Sequence, residues 1–120
     1  MTDLINHPPH YATALPGIRG ECIEYSRHMT FSQGNAFKYV WRAGAKVDGR
    51  QDLDKAAWYL NDAATNGPMA CAGVPILIDF NAPQTRRRYL LACIARGDVA
   101  RASQLLAAIT DPAQLNEEMR

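Results

Sequence analysis

Apolar residues recur at three- and four-residue spacing from Thr30 to Tyr59, TFSQGNAFKYVWRAGAKVDGRQDLDKAAWY, a stretch that reads as two amphipathic helices joined by a short basic loop. Thr30 suits an N-cap with Gln33 as its third-position partner, so the first helix is expected to begin just ahead of Phe31, and Gly44 can stop it. At about 100 degrees per residue, Phe37, Val40, Trp41 and Gly44 fall on one side, the expected core side. Asn35, Lys38, Tyr39 and Arg42 fall on the other. The second helix is expected to start near Asp48 or Arg50 and to end at Asn66-Gly67-Pro68. Leu53, Ala56, Ala57, Leu60 and Ala64 form its predicted buried stripe. Asp52, Lys55, Tyr59 and Asp62 lie elsewhere on the cylinder, with Asp52 and Lys55 spaced for an ordinary surface pair. Trp58 lies between the faces; a core edge or a subunit interface is favoured over stacking on a planar ligand.

The flanking segments read more simply. Residues 1–20 hold three prolines and two glycines, and Pro8-Pro9 favours an extended arm. Glu21 to Met29 suits a short helix with Cys22, Tyr25 and Met29 inward and Glu21, Glu24 and Arg27 outward. Val74 to Phe80 is a short apolar run suited to one strand or an extended buried segment. Thr85 to Ala95 is expected to be a helix that turns Leu90, Leu91 and Ile94 inward and leaves Arg86, Arg87 and Arg88 outside. Gly97 ends it and Asp98 caps the next, whose apolar stripe is Val99, Ala102, Leu105, Leu106 and Ile109. Together these two make a helical hairpin. Asp111-Pro112 fits the opening of a last short helix through Met119. The expected fold is therefore mainly α: a compact helical domain with an extended N-terminal arm, room for one short strand near 74–80, and a C-terminal helical hairpin. Residues 1–67 and the extension 68–120 are expected to pack as one globular unit.

Composition narrows the partners. The 13 basic and 12 acidic residues leave a formal net charge of +1, too little field to wrap duplex DNA or dock on anionic lipid. No apolar run approaches the roughly 20 residues that a membrane span needs. A cytoplasmic protein without nucleic-acid polymer or membrane partners is expected. At this size a homo-oligomer would help to bury the apolar excess. Cys22, Cys71 and Cys93 are odd in number and widely spaced, which suits buried reduced thiols better than a zinc site or a disulfide framework.

Candidate chemistry concentrates in the first half. An amide, an ammonium, a phenol and a guanidinium on one helix face, Asn35, Lys38, Tyr39 and Arg42, can grip an anion or a base. The loop Ala43 to Arg50 carries two glycines, Lys46 and Arg50 ahead of a helix N-terminus, the parts of a phosphate cradle, although the Walker A order is absent. Asn6, His7, His10 and Tyr11 are recognition groups on a stiffened backbone. Without a further ligand at suitable spacing, the two histidines are expected to cap the site or bond locally rather than hold a metal. Glu21 and Glu24 form an ExxE pair of the kind used for magnesium in all-helical MazG-type nucleotide hydrolases, with Asp52, Asp54 or Asp62 as conceivable further ligands; favourable charge at a helix N-terminus is the plainer reading. Arg86 to Arg88, the densest positive charge, is either a solvated helix start or a reach toward phosphate in a neighbouring subunit.

Four ordered blocks, Asn6-His7-Pro8-Pro9-His10-Tyr11, Glu21-Cys22-Ile23-Glu24, Gly34 to Gly44 and Asp52 to Leu60, resemble a small phage and prophage domain commonly labelled a phage nucleotide kinase or a protein of unknown function. The resemblance covers about the first 62 residues. It implies a deoxynucleoside monophosphate kinase that lacks a P-loop and works as a homo-oligomer. Carried over residue by residue, it implies site roles for His7, His10, Tyr11, Asn35, Lys38, Tyr39, Arg42, Lys46, Asp52, Lys55 and Tyr59. The chain departs from the pattern in Asp54 and in a longer Gly-Ala-Lys-Val-Asp-Gly-Arg linker. Phosphoryl transfer needs positioned phosphates and offset charge, usually with Mg2+, and Asp52 is the candidate catalytic base or holder of a hydrated metal. The same donors with stacking aromatics would also make a pocket that binds a nucleotide without chemistry, of use in sequestering a nucleotide signal of host antiviral defence. A purely structural helical module would explain the C-terminal hairpin but not the polar density before it.

Overall fold

A computed structural model describes residue 15 and residues 18–44, 49–67 and 84–119. Most of the predicted arm, the run Val74 to Phe80, Cys71 and Lys46 lie outside the described residues. Among the described residues five α-helices follow in order: α1 Cys22–Ser26, α2 Phe31–Arg42, α3 Gly49–Asn66, α4 Arg86–Ala95 and α5 Val99–Ala107, before a 3-10 turn at Pro112–Asn116. The described residues are mainly helical, as the periodicity predicts, and form no sheet beyond isolated bridges.

The helix starts obey their local signals. Gln33 reaches back to accept from the Thr30 amide at 3.3 Å, which closes the capping box and fixes the first turn of α2. Thr85 Oγ1 accepts from the Arg88 amide at 3.2 Å and Asp98 from the Arg101 amide at 3.1 Å, so α4 and α5 begin where their caps stand. Glu24 accepts from the Glu21 amide, so this carboxylate pair is spent on starting α1. After α2, Ala43 leaves the helical region at ψ 127° and Gly44 turns left-handed at φ 88°. Gly44 is consequently exposed and Ala43 buried, the reverse of the helical projection, because the projection stops where the helix stops.

The most extensive packing is α2 against α3; α4 closes over α2, and α5 over α3. One continuous core joins both halves of the chain, with Phe37, Val40 and Trp41 of α2, Leu53, Ala56 and Leu60 of α3, Leu90, Leu91 and Ile94 of α4, and Leu106, Ile109 and Leu115 beyond. Burying each of the larger of these side chains stabilises the fold by about 1.5–3 kcal/mol. Gly34 lets α1 lie close: a Cβ there would sit 3.3 Å from the Ser26 carbonyl oxygen. A polar strut crosses the core as well, where buried Gln33 donates from Nε2 to the Ile94 carbonyl at 2.8 Å.

Several expectations are corrected. On α3 the buried arc is Asp52, Leu53, Ala56, Leu60 and Ala63, whereas Ala57 and Ala64 are exposed. Those two line a groove of about 300 Å³ toward Ser103 and Leu106 of α5, because α5 covers only part of that side. Two of the three arginines do not stay outside: Arg87 and Arg88 are buried, because α4 packs by its first turn as well as its middle, while Arg86 remains part-exposed near Glu117. The final helix is only the 3-10 turn, since the chain then extends so that Met119 donates to the Gln84 carbonyl at 2.7 Å and Arg86 to the Glu117 carbonyl at 3.1 Å. Trp58 is 63% exposed and therefore not at a core edge.

Candidate functional site

The outer face of the α2/α3 pair is built around Tyr39. Helical spacing aligns Lys38 and Arg42 beside it on α2, and the antiparallel α3 brings Lys55 and Tyr59 across from them. The Lys38 ammonium lies 4.7 Å from the Tyr39 ring centroid, Lys55 5.3 Å and the Arg42 guanidinium 5.7 Å. Tyr59 stacks on Tyr39 with centroids 5.9 Å apart and planes 12° from parallel. Phe31 and Trp58 each meet Tyr59 edge-on, at 6.0 and 5.1 Å, and both stand largely in solvent.

Beneath this layer lies the Arg42–Asp52 pair. Both Asp52 carboxylate oxygens are 3.2 Å from Arg42 Nε, and Asp52 is 1% exposed. The expected surface pairing of Asp52 with Lys55 is thus replaced by a buried pairing across the helices, and Lys55 is left over the aromatic ring. A ring face attracts a cation through its quadrupole but does not neutralise it. Lys38 and Lys55 thus place two ammonium groups over Tyr39 on this face, and the aromatic row offers faces and edges for a planar group.

Six of the eleven expected site residues are brought together here: Lys38, Tyr39, Arg42, Asp52, Lys55 and Tyr59. Asn35 is on the same face, one turn before Tyr39, and donates from Nδ2 to the Phe31 carbonyl at 2.8 Å. His7, His10, Tyr11 and Lys46 lie outside the described residues. Arg50, expected to supply charge to the same site, is directed elsewhere: it pairs with Asp54 at 3.0 Å, donates to the Ile109 carbonyl at 3.3 Å and borders the groove toward α5. Phe31 was not foreseen as a site residue; its place opposite a tyrosine of another helix leaves no mark in local spacing.

The acidic residues named for a magnesium site do not assemble. Asp54 is with Arg50, while Asp62 accepts from the Ser32 hydroxyl and from Asn66 at 2.8 Å, two bonds that hold its carboxyl below the usual range. Among the described residues no three His, Cys, Asp or Glu side chains gather as a metal would require. Cys22 and Cys93 are buried free thiols, and burial pushes the Cys22 thiol up to about 12. Among the described residues no helix is long and apolar enough to cross a membrane.

Comparison with known proteins reaches only the part of the chain that carries this face. Residues 5–61 match the DUF3310 family, described as of unknown function. The match ends within α3, so α4, α5 and the 3-10 turn lie outside it. No curated protein and no solved structure matches the chain.

Proposed function

We propose that the α2/α3 face binds a nucleotide, its phosphate over Lys38, Lys55 and Arg42 and its base against the Phe31, Trp58 and Tyr59 row. The observation that carries this reading is the gathering of three cations, Lys38, Lys55 and Arg42, around the ring of Tyr39 on one face beside the Phe31, Trp58 and Tyr59 row. The resemblance of the same residues to domains labelled phage nucleotide kinase supports a nucleotide in preference to another aromatic anion. Because Asp52 is buried against Arg42, the arrangement favours binding without chemistry, the role suited to sequestering a nucleotide signal. Magnesium would enter with the phosphates of the ligand.

Calorimetric titration with mono-, tri- and cyclic nucleotides, with and without Mg2+, followed by chromatography of the ligand, tests this. Intact ligand is expected; phosphate transferred from ATP would establish the kinase instead, and no binding by any nucleotide would overturn the reading. Lys38→Ala and Lys55→Ala are expected to weaken binding about tenfold each, the loss of one charge-assisted contact. They are cleaner probes than Arg42→Ala, which would strand Asp52 unpaired in the interior.

A further inference from the structure

The end of α2, which carries Arg42, is bonded by a residue from the extension beyond the matched residues, and that residue in turn bonds the 3-10 turn whose Pro112 lies against Gly49 at the start of α3. Where α2 stops, the carbonyls of Val40 and Trp41 lose the amides that a continuing helix would supply. Both are buried in the core, and both accept from Nη1 of Arg87, at 2.9 Å each. Arg87 Nη2 bonds Asn116 Oδ1 at 3.3 Å. On the other side of this junction the backbones of Gly44 and Gly49 approach so closely that a Cβ on Gly49 would lie 3.0 Å from the Gly44 nitrogen and 3.0 Å from Pro112 Cβ. A guanidinium at a helix C-terminus also complements the helix dipole.

We infer that Arg87 is a positioning residue for the candidate site: it holds the end of α2 in register with the start of α3, so that Arg42 meets Asp52 and is presented beside Tyr39. It touches no ligand itself. A side chain anchored two turns away on another helix could not do this; one bonded to the two carbonyls immediately before Arg42 can. The C-terminal extension thereby acts on the site through α2 rather than by adding a contact to it. The ligand arm of the test rests on the reading proposed above, whereas the spectroscopic arm does not.

The experiment compares the full chain with Arg87→Gln and Asn116→Ala. The side-chain Nε–H resonance of Arg42, assigned by its absence in Arg42→Lys, reports the pairing with Asp52. In Arg87→Gln this signal is expected to broaden beyond detection or to exchange at least tenfold faster with water, at a temperature where the far-ultraviolet circular dichroism remains that of the folded chain. In Asn116→Ala, which only loosens Arg87, it is expected to shift in the same direction by less. Pyrophosphate, titrated as a simple anionic probe, is expected to bind Arg87→Gln about fivefold more weakly. An Arg42 signal unchanged in both variants would overturn the inference, because a purely structural arginine would lower the melting temperature and leave that pair alone. Should Arg87→Gln not fold, Asn116→Ala decides by the same signal. If the wild-type chain fails to bind pyrophosphate and every nucleotide while the Arg42 signal responds as stated, the functional reading falls and the positioning role stands.

Discussion

Two clusters of positive charge in this chain have opposite fates. At the start of α4, Arg87 and Arg88 are folded into the interior, and Arg87 spends its donors on backbone carbonyls. On the α2/α3 face, Lys38 and Lys55 stay at the surface and rest on an aromatic ring. In sequence the first cluster is the denser and looks more like a phosphate grip. The difference lies in the surroundings: the Arg87 guanidinium is buried on backbone carbonyls, whereas the ammonium groups of Lys38 and Lys55 stand over a ring at the surface. Charge density along a chain is thus a poor guide to where an anion would bind, and the chemistry facing each cation is a better one.

Substitutions at the buried cluster should produce the largest change. Arg87→Met keeps much of the side-chain volume but leaves the Val40 and Trp41 carbonyls buried without donors, at a cost of about 3 kcal/mol in urea denaturation. Burial already pulls this guanidinium down to about 10, yet it stays protonated near neutrality, where the measurement is made.

The junction beside Arg87 offers the next test. In Gly49→Ala the new methyl group meets backbone and proline ring at 3.0 Å, neither of which gives way easily, so a loss of about 2 kcal/mol is expected. Gly67→Ala has nothing within 4 Å of its new Cβ and should change stability by less than about 0.5 kcal/mol. Equal effects from the two alanines would mean that the α2/α3 junction is not as tight as its geometry.

How far the chain could be read in advance follows from how local each determinant is. The starts of α2, α4 and α5 and the ends of α2 and α3 depend on caps and glycines within a few residues, and they fall where those residues predict. That Lys55 and Tyr59 belong with Lys38, Tyr39 and Arg42 came from the family resemblance, since helical spacing alone places each set only on its own helix. The burial of Arg87 was not legible: its partners, Val40 and Trp41, are more than forty residues away and are backbone carbonyls, which carry no side-chain signature. Asp52 misled for a related reason, since spacing offers Lys55 on its own helix while the buried partner, Arg42, belongs to the helix before. The same limit hid Phe31.

A smaller effect separates the two regions by pH. The Cys22 thiol, buried at the start of α1, is pushed by loss of solvent from an ordinary 9.0 to about 12, with Ser26 and Lys38 pulling weakly the other way. A folded-state value above the unfolded one means that the folded chain holds its proton longer. The contribution is fully present below about pH 9 and is lost as pH rises toward 12. At pH 10 the wild type should have lost about 1 kcal/mol more, relative to pH 8, than Cys22→Ala, because the unfolded thiol is by then mostly ionised. The difference between the two proteins cancels the lysines and tyrosines that titrate in both, so urea denaturation at the two pH values suffices.

The smallest expected change in stability belongs to the residues given the largest role in binding. Lys38→Ala and Lys55→Ala each remove a part-exposed cation from over a ring, where such contacts contribute about 0.5–1 kcal/mol and are partly offset by the freedom a long side chain regains. Their thermal unfolding should therefore match the wild type to within about 0.5 kcal/mol, far from the loss at Arg87. Should either variant instead prove as destabilised as Arg87→Met, the face around Tyr39 would be holding the fold together, and the distinction between buried and surface charge would collapse. Unfolding that stays unchanged while nucleotide affinity drops is the pattern that a surface kept for a ligand must give.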